Sequence, residues 1–514
     1  MVMDVDDFRK AAKEAIDQIA DYHESVPSRR VVADVEPGYL APLLPASAPL
    51  DPEPFDAITA DLHANIMPGI THWSSPGFMA FFACNSSYPA AIAEMWSNAF
   101  NGAHFNWICS PAVTELETIV MDWLAEMLAL PPCFRSRAPS QGGGVIHGSA
   151  SEALLTVMVA ARDKFLAAKT AHLPHATDEK DDETCRLRGR LVALASAGAH
   201  SATEKAAQVL GVRFATVPVD EEHGRAMQGP ALVRTLDDLA ARRLEPFYLT
   251  ATLGTTEVCA VDDFPGIIDA LAPRVGTPAE VWVHVDAAYA GSALVLDENK
   301  PLARPVAHFH SFNFNPHKWL LTTFDCSALW IRNRADLVSS LAIKPPFLRN
   351  QMSDDGLVID YRDWQIPLGR RFRSLKLWFV LRAYGVRGLQ DHVRRGVVLA
   401  ESLEAKLRSR PDLFSIFTPA RFALVTLRVR GDDEATVNAR SEELYAVINA
   451  GGDFYLTGTV VGAKFAIRVS TSVAAVRDEH VDKLFALLVD GAEKIIKTAK
   501  ARAAGRVESR DESM

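Results

Sequence analysis

Paired cysteines are missing from this chain. The six present, Cys84, Cys109, Cys133, Cys185, Cys259 and Cys326, are scattered with no CxxC spacing, which fits reduced thiols better than a disulfide framework or a zinc site. No apolar run is long enough to cross a bilayer. The first residues, Met1-Val2-Met3-Asp4-Val5-Asp6-Asp7, are acidic and lack the apolar core of a secretory signal. Positive charge is not in excess, since the net charge is −10, so nothing points to nucleic acid or a membrane as partner. Walker and GxGxxG spacings are absent, which disfavours a nucleotide. The acidic run within residues 170–187 lacks EF-hand spacing and reads as a solvated insertion, not a calcium site. No metal set and no internal repeat is found. These absences leave a globular, cytoplasmic protein as the expectation. Its 48% hydrophobic and 23% charged residues are ordinary for a soluble enzyme, and 514 residues exceed one core.

The segment 4–24 carries apolar residues at helical spacing, with Phe8, Ala12, Ile16 and Ile19 on one stripe. A proline-rich connection runs from Pro37 to Pro54, and a second helix spans about 55–66. Such an arm has little core of its own and is expected to pack on another subunit. Residues 72–107 are rich in aromatic and small side chains. Any one of Phe81, Phe82 and Phe105 is more often core; clustered with glycines and serines, they look like walls of a flat apolar pocket. A helix over about 113–129 starts near Ser110-Pro111, a cap followed by proline.

Gln141 to Glu152, a glycine-rich turn with hydroxyls, feeds an amphipathic helix over about 151–168. A turn of this kind offers backbone N–H groups to an anion, although Gly-Ser turns before helices are common. Strand-like runs follow at about 190–195, 246–252, 281–286 and 326–331, alternating with helical patterns at 201–210, 229–242 and 263–272. The alternation predicts an α/β domain with a largely parallel sheet. Ligands of such sheets sit at the carboxyl ends of strands. His200 lies past one strand, Thr255-Thr256 past the next, Asp286 at the end of the third, and Lys318 before the fourth. Pro345-Pro346, Gly356 and four polar residues mark about 342–358 as a long loop. Helices over 369–384 and 387–407, a small antiparallel sheet within 420–470 and a closing helix over 477–498 complete the order.

An isolated His-Lys pair such as His317-Lys318 is usually a lysine reaching out of a buried turn. Its company argues otherwise. An anion cradle (Ser149-Ala150-Ser151), an acid at a strand end (Asp286), an imidazole (His200) and a partly desolvated amine (Lys318) are the four groups that pyridoxal 5′-phosphate requires.

The motifs PHKW around Lys318, HVDAAYAG at 284–291, ATLGTT at 251–256, GSASEA at 148–153 and DYRDWQIPLGRRFRSLKLW at 360–378 resemble the pyridoxal-phosphate group II decarboxylases. Within them, the likeness is to the aromatic L-amino acid decarboxylase and aromatic aldehyde synthase branch. It runs from about residue 5 to 495. It implies fold type I (aspartate-aminotransferase-like) with a mostly parallel central sheet, a helical N-terminal arm and a small α+β C-terminal domain. The implied boundaries are a dimer-swapped arm over 1–85, a large cofactor-binding domain over 86–390, a small domain over 391–500 and a disordered tail over 501–514. An obligate homodimer with active sites at its interface is also implied.

Carried over by position, Lys318 would bind the cofactor as a Schiff base and His200 would stack on its ring. Asp286 would pair with the ring nitrogen, Ala288 would pack under the ring and Thr256 would flank it. Ser149, Ala150, Ser151 and Asn315 would serve the phosphate, with His317 adjoining the cofactor. Trp73, Phe81, Phe82, Cys84 and Phe105 match positions lining the pocket for the aromatic side chain. Ala83 and Ala103 are smaller than the family's residues there, which bears on ring preference. Decarboxylases of the branch carry tyrosine where this chain has Phe347, and aldehyde synthases carry phenylalanine. A phenol on a closing lid can protonate the carbon that has lost CO2. Phenylalanine cannot, and oxygen can then oxidise that carbon to an aldehyde, with ammonia and hydrogen peroxide. A neutral substitution, with protonation by water or His200, is the alternative. Gly369, in IPLGRR, permits indole substrates without excluding phenylalanine, tyrosine or dopa. The expected activity is an aromatic aldehyde synthase using O2, with a simple decarboxylase second. A cofactor-binding scaffold is disfavoured by the joint presence of Lys318, Asp286 and His200.

Overall fold

The computed structural model describes residues 3–343 and 351–511; Phe347 lies outside them. The chain divides into two compact units, Met1–Ala83 with Val398–Met514, and Cys84–Val397.

The second unit is built on a seven-stranded sheet: β1 (Gly143–His147), β2 (Leu191–Ser196), β3 (Arg213–Val217), β4 (Glu245–Thr252), β5 (Trp282–Asp286), β6 (Ser311–Phe314) and β7 (Ser327–Ile331), in the order β1-β7-β6-β5-β4-β2-β3. β7 runs antiparallel to both neighbours and the remaining pairs are parallel. β1 therefore points the same way as β6. All residues of β2 and β5 are buried, as in a sheet covered on both faces, which is why these strands read as continuous apolar runs.

The strands expected over 190–195, 246–252, 281–286 and 326–331 are all present. Three others carry no clear strand pattern. β1 is masked by its two glycines, and β3, at the sheet edge, is short and half-exposed. β6, Ser-Phe-Asn-Phe, carries polar residues whose partners come from distant strands. The Ser311 hydroxyl oxygen accepts from Trp282 Nε1 (2.9 Å), and Asn313 Nδ2 donates to Ser327 Oγ (2.8 Å) and to the Ala328 carbonyl (2.9 Å). Lys318 accordingly sits after β6, in a helical turn Pro316–Trp319, and not merely ahead of β7.

The insertion at 170–187, expected as a solvated loop, contains a helix, Asp178–Arg188. Thr177 caps it, Asp178, Glu179 and Asp181 lie in its first turn and Arg186 and Arg188 in its last. The acidic run complements the helix dipole. The two helices expected over 369–407 form one span, Arg373–Arg408, broken by non-helical backbone at Gly385 (φ +60°).

The first unit holds a four-stranded antiparallel sheet, β8 (Phe414–Arg421), β9 (Leu424–Val429), β10 (Thr457–Val461) and β11 (Lys464–Ser470), in the order β10-β11-β9-β8. Helices Glu434–Gly451 and Asp478–Asp511 accompany it, the latter running on past residue 501, where a disordered tail was expected. The stretch before residue 83 belongs to this unit. Tyr455 N–H donates to the Gly77 carbonyl (2.9 Å), Ser470 N–H to the Met79 carbonyl (2.9 Å), and Phe78 and Met79 lie in the same core as Leu427, Leu444 and Leu488. The first helix, Val5–Ser25, is capped by Asp4. Its apolar stripe is bare in the single chain, with Phe8, Ile16 and Ile19 61, 47 and 56% exposed.

A buried ion pair locks the 360–378 segment to the large sheet. Arg370 Nη2 lies 2.7 Å from Glu117 Oε1 and 3.1 Å from the Ile146 carbonyl of β1, and Ile146 N–H donates to the same Glu117 oxygen (2.8 Å). Breaking such a pair strands a charge in low dielectric, so Arg370→Met is expected to lower unfolding free energy by about 3–5 kcal/mol, measured by urea denaturation.

Candidate active site

Six strands of the large sheet, all but β7, point the same way, so their carboxyl ends lie along one edge. That edge gathers Ser149-Ala150-Ser151 after β1, His200 after β2, Thr256 after β4, Asp286 and Ala288 at β5, and Asn315, His317 and Lys318 after β6.

After β1 the chain turns into the 20-residue helix Ala150–Lys169. The Ser149 hydroxyl accepts from Glu152 N–H (3.1 Å). Glu152 reaches back, taking the Gly148 N–H on Oε2 (3.0 Å) and approaching His147 Nδ1 with Oε1 (3.2 Å). This is a capping box displaced by one residue. It engages the Ser149 hydroxyl and leaves the N–H groups of Ala150 and Ser151, among the described residues, without an acceptor. A Cβ on Gly148 would stand 2.9 Å from Asp325 Oδ2 and 3.1 Å from Glu152 Oε2, so any side chain there would push on these two carboxylates. Two free N–H groups at the positive end of a long helix, beside such a glycine, fit a phosphate.

Asp286 is buried, and its Oδ1 accepts the Ala288 N–H at 2.9 Å. Its backbone is fixed on both sides, paired with Thr252 of β4 and Asn313 of β6. Across the edge, desolvation holds the His200 pKa below its ordinary value, with Asp286 opposing and Lys318 reinforcing the shift. The three groups are therefore within electrostatic reach of one another. His200 Nδ1 accepts the Ala202 N–H (3.1 Å), which puts the proton of the neutral ring on Nε2.

Lys318 is half-buried. Its N–H donates to the Asn315 carbonyl (3.0 Å), and its own carbonyl accepts from Asn85 Nδ2 (2.6 Å). Asn315 takes Ser327 Oγ–H on its amide oxygen (2.7 Å), so its NH2 remains a donor. Behind this turn Trp319 stacks flat on Tyr289, with ring centres 5.0 Å apart and planes at 9°, joining the chain after β5 to the chain after β6. His317 is turned into the protein. Its Nδ1 accepts the Cys326 N–H at 2.8 Å, and desolvation, reinforced by Lys318, brings its pKa to about 3. Thr256 and Ala288 are half-buried at the same edge, while the neighbouring Thr255 is buried with its oxygen accepting the Ala260 N–H (3.0 Å).

The expected pocket residues divide between the two units. In the first, Trp73 and Phe81 are stacked (5.9 Å, 15°), and Phe82 is buried beneath the Arg468 guanidinium, 5.1 Å from its ring centre. In the second, burial raises the Cys84 thiol pKa while Lys318 opposes it, which puts the two within electrostatic reach. The Phe105 carbonyl accepts the Arg362 N–H (3.1 Å), and Arg370 N–H donates to the Ala103 carbonyl (2.6 Å). Gly369 is exposed, and a Cβ there would meet nothing within 4 Å, so steric room does not require glycine at this position.

Supports that no motif announced stand around these groups. Asp325 pairs with Arg373 at 3.0 Å next to the phosphate cradle, and Glu117 holds Arg370 across 253 positions of sequence. Both arginines fall inside the 360–378 motif, but their carboxylate partners lie where only folding brings them.

Comparison with known proteins agrees with this geometry. The family profile described as the pyridoxal-dependent decarboxylase conserved domain matches residues 37–430. A curated aromatic-L-amino-acid decarboxylase of Cavia porcellus is 42% identical over 97% of this chain and 100% of its own length. A phenylacetaldehyde synthase of a Rosa hybrid cultivar is 40% identical over 96% of each chain. Among solved structures, Oryza sativa TDC with PLP and tryptamine superposes with a TM-score of 0.89 at 37% identity, covering 96% of this chain and 99% of that one.

Two outcomes test the site. Gly148→Ala is expected to weaken cofactor retention about tenfold through crowding of the Asp325 and Glu152 carboxylates, read from bound absorbance after gel filtration. The His317 ring, held neutral by a pKa of about 3, should show no NMR titration between about pH 5 and 8.

Proposed function

We propose that this chain, which belongs to the pyridoxal-dependent decarboxylase family, is an aromatic aldehyde synthase. It would convert an aromatic L-amino acid (tryptophan, phenylalanine, tyrosine or dopa), with O2 and water, to the arylacetaldehyde, CO2, ammonia and hydrogen peroxide. The family's fold is fold type I, its cofactor is pyridoxal phosphate, and its relatives in the aromatic branch are enzymes of both product types.

Pyridoxal 5′-phosphate, when bound, supplies an aldehyde that condenses with amines and a protonated ring that withdraws electrons from the breaking bond. Lys318 contributes the amine that holds the cofactor and yields to substrate. Asp286, buried and fixed in register, keeps a proton on the ring nitrogen. Neutral His200 covers the ring without adding charge. The N–H groups of Ala150 and Ser151 and the Asn315 amide bind the phosphate, and His317 anchors the lysine turn from behind. Thr256 and Ala288 bracket the ring, and Cys84, Phe105 and Gly369, all of the second unit, shape the aromatic pocket.

The observation that carries aldehyde over amine is Phe347. A benzene ring has the shape of the phenol but no proton to give the carbon that has lost CO2, and general acid catalysis is worth about 10²–10⁴-fold. Losing that step gives oxygen time to react. The arrangement is proposed to work as a cytoplasmic homodimer. The bare stripe of Phe8, Ile16 and Ile19 supports a partner surface for the arm, and among the described residues no helix is long and apolar enough to cross a membrane. The second reading, a simple decarboxylase, is favoured by the relatives that carry that name.

Incubation with tryptophan, phenylalanine and dopa in air is expected to give aldehyde and peroxide in equal amounts. Stoichiometric amine without peroxide would overturn the proposal. Phe347→Tyr is expected to shift the product from aldehyde to amine, and an unchanged ratio would show that residue 347 does not decide it.

A further inference from the structure

We propose that Asp262 is a positioning residue of the cofactor site, its carboxylate clamping the carboxyl end of β4 so that Thr256, Asp286 and His200 keep their places. The proposal rests on the cofactor and not on the choice between amine and aldehyde, so product analysis leaves it untouched.

Asp262 is 2% exposed. Its Oδ2 accepts the Thr252 N–H and its Oδ1 the Met227 N–H, each at 2.8 Å. Its own N–H returns to the Thr252 carbonyl (3.0 Å), and the next residue, Asp263, donates to the Met227 carbonyl (2.9 Å). Thr252 is the last residue of β4 and the register partner of Asp286, and Leu253 N–H donates to the Asp286 carbonyl (2.9 Å). From there the chain makes the tight turn that carries Thr256, with Gly254 at φ +88° packed so closely that a Cβ would stand 2.5 Å from Ala290 Cβ. The segment held through Met227 is also next to the turn that leads to His200, because the Cβ position of Gly198 is 3.9 Å from both the Arg225 carbonyl oxygen and the Thr255 methyl. One carboxylate thus joins the supports of three site residues.

A buried carboxylate is costly, and no charged side chain acts on this one among the described residues. Desolvation raises its pKa from 3.8 to about 7, opposed only by the Met227 and Thr252 N–H groups. For an acid with a raised folded-state pKa, ionisation opposes folding: stability from this group falls as pH rises from 3.8 to about 7. A neutral replacement, amide or apolar, would leave at least one of the two buried N–H groups without an acceptor. The charged form has one advantage, since both oxygens accept, whereas the protonated acid turns one of them into a donor. The carboxylate therefore trades stability for geometry, as groups serving a functional site do. Acidification should loosen the site while, through this group, the fold gains.

The test follows pyridoxal phosphate release from the holoenzyme at about pH 8 and about pH 6, together with the melting midpoint. Wild type is expected to release cofactor roughly tenfold faster at the lower pH, the order for one lost charge-assisted hydrogen bond, with no fall in midpoint attributable to residue 262. Asp262→Asn, whose NH2 would face one of the two N–H donors, should release at the faster rate at both pH values, with a lower midpoint. Wild-type retention in Asp262→Asn at the higher pH, or the same pH step in that variant, would overturn the proposal. A wild-type midpoint that falls from the higher to the lower pH when that of Asp262→Asn does not would mark a strut of the fold and overturn it too. Should Asp262→Asn fail to fold, wild type alone decides, because a release rate unchanged between the two pH values is incompatible with the clamp.

Discussion

Register holds this site together. Thr252, Asp286 and Asn313 face one another across three adjacent parallel strands, and each is the last or next-to-last residue before its chain leaves the sheet. A parallel ladder fixes the relative heights of its strand ends to within a residue, and a slip of one position would turn Asp286 to the opposite face. The acid, the imidazole after β2, the threonine turn after β4 and the amine after β6 are therefore neighbours because of hydrogen bonds between backbones and not because of contacts among themselves.

The ladder is defended from within by polar residues. Ser311 Oγ accepts the Trp282 indole and lies 2.8 Å from His284 Nδ1, and desolvation brings the His284 pKa to about 4. Asn313 spans to β7, and Ser327 hands its proton to Asn315. Such a network specifies one pairing, since any shift leaves buried donors unmet at about 1–3 kcal/mol each. The Trp319–Tyr289 stack completes the joint on the apolar side. Lys318 can then be half-buried on a turn of only four residues, a length with no stability of its own.

Family membership narrows the chemistry but leaves the product open, since relatives of nearly equal similarity bear decarboxylase and aldehyde synthase names. The difference proposed to matter is a single oxygen atom, at Phe347. Everything that prepares the electron-withdrawing site is common to both outcomes, and the branch point lies in what can reach one carbon afterwards.

The sequence alone determined the reaction class. Lys318, Asp286, His200 and the 148–153 turn are chemically legible because few cofactors need that combination, and the apolar runs of β2, β4 and β5 are legible because strands covered on both faces are apolar throughout. Not legible were β1, β3 and β6, whose glycines, edge exposure and polar residues make sense only beside their neighbours, nor the helix at Asp178–Arg188, whose acidic start has the composition of a solvated loop. Tertiary structure alone decided the partners: Glu117 for Arg370, Asp325 for Arg373, Asp262 for the end of β4, and the capping role of Ser149. The physical reason is the same in each case. A residue's type states what bonds it can make, but a buried charge or hydroxyl finds its partner in space, and separations of 48 to 253 residues for the two arginine pairs carry no local signal.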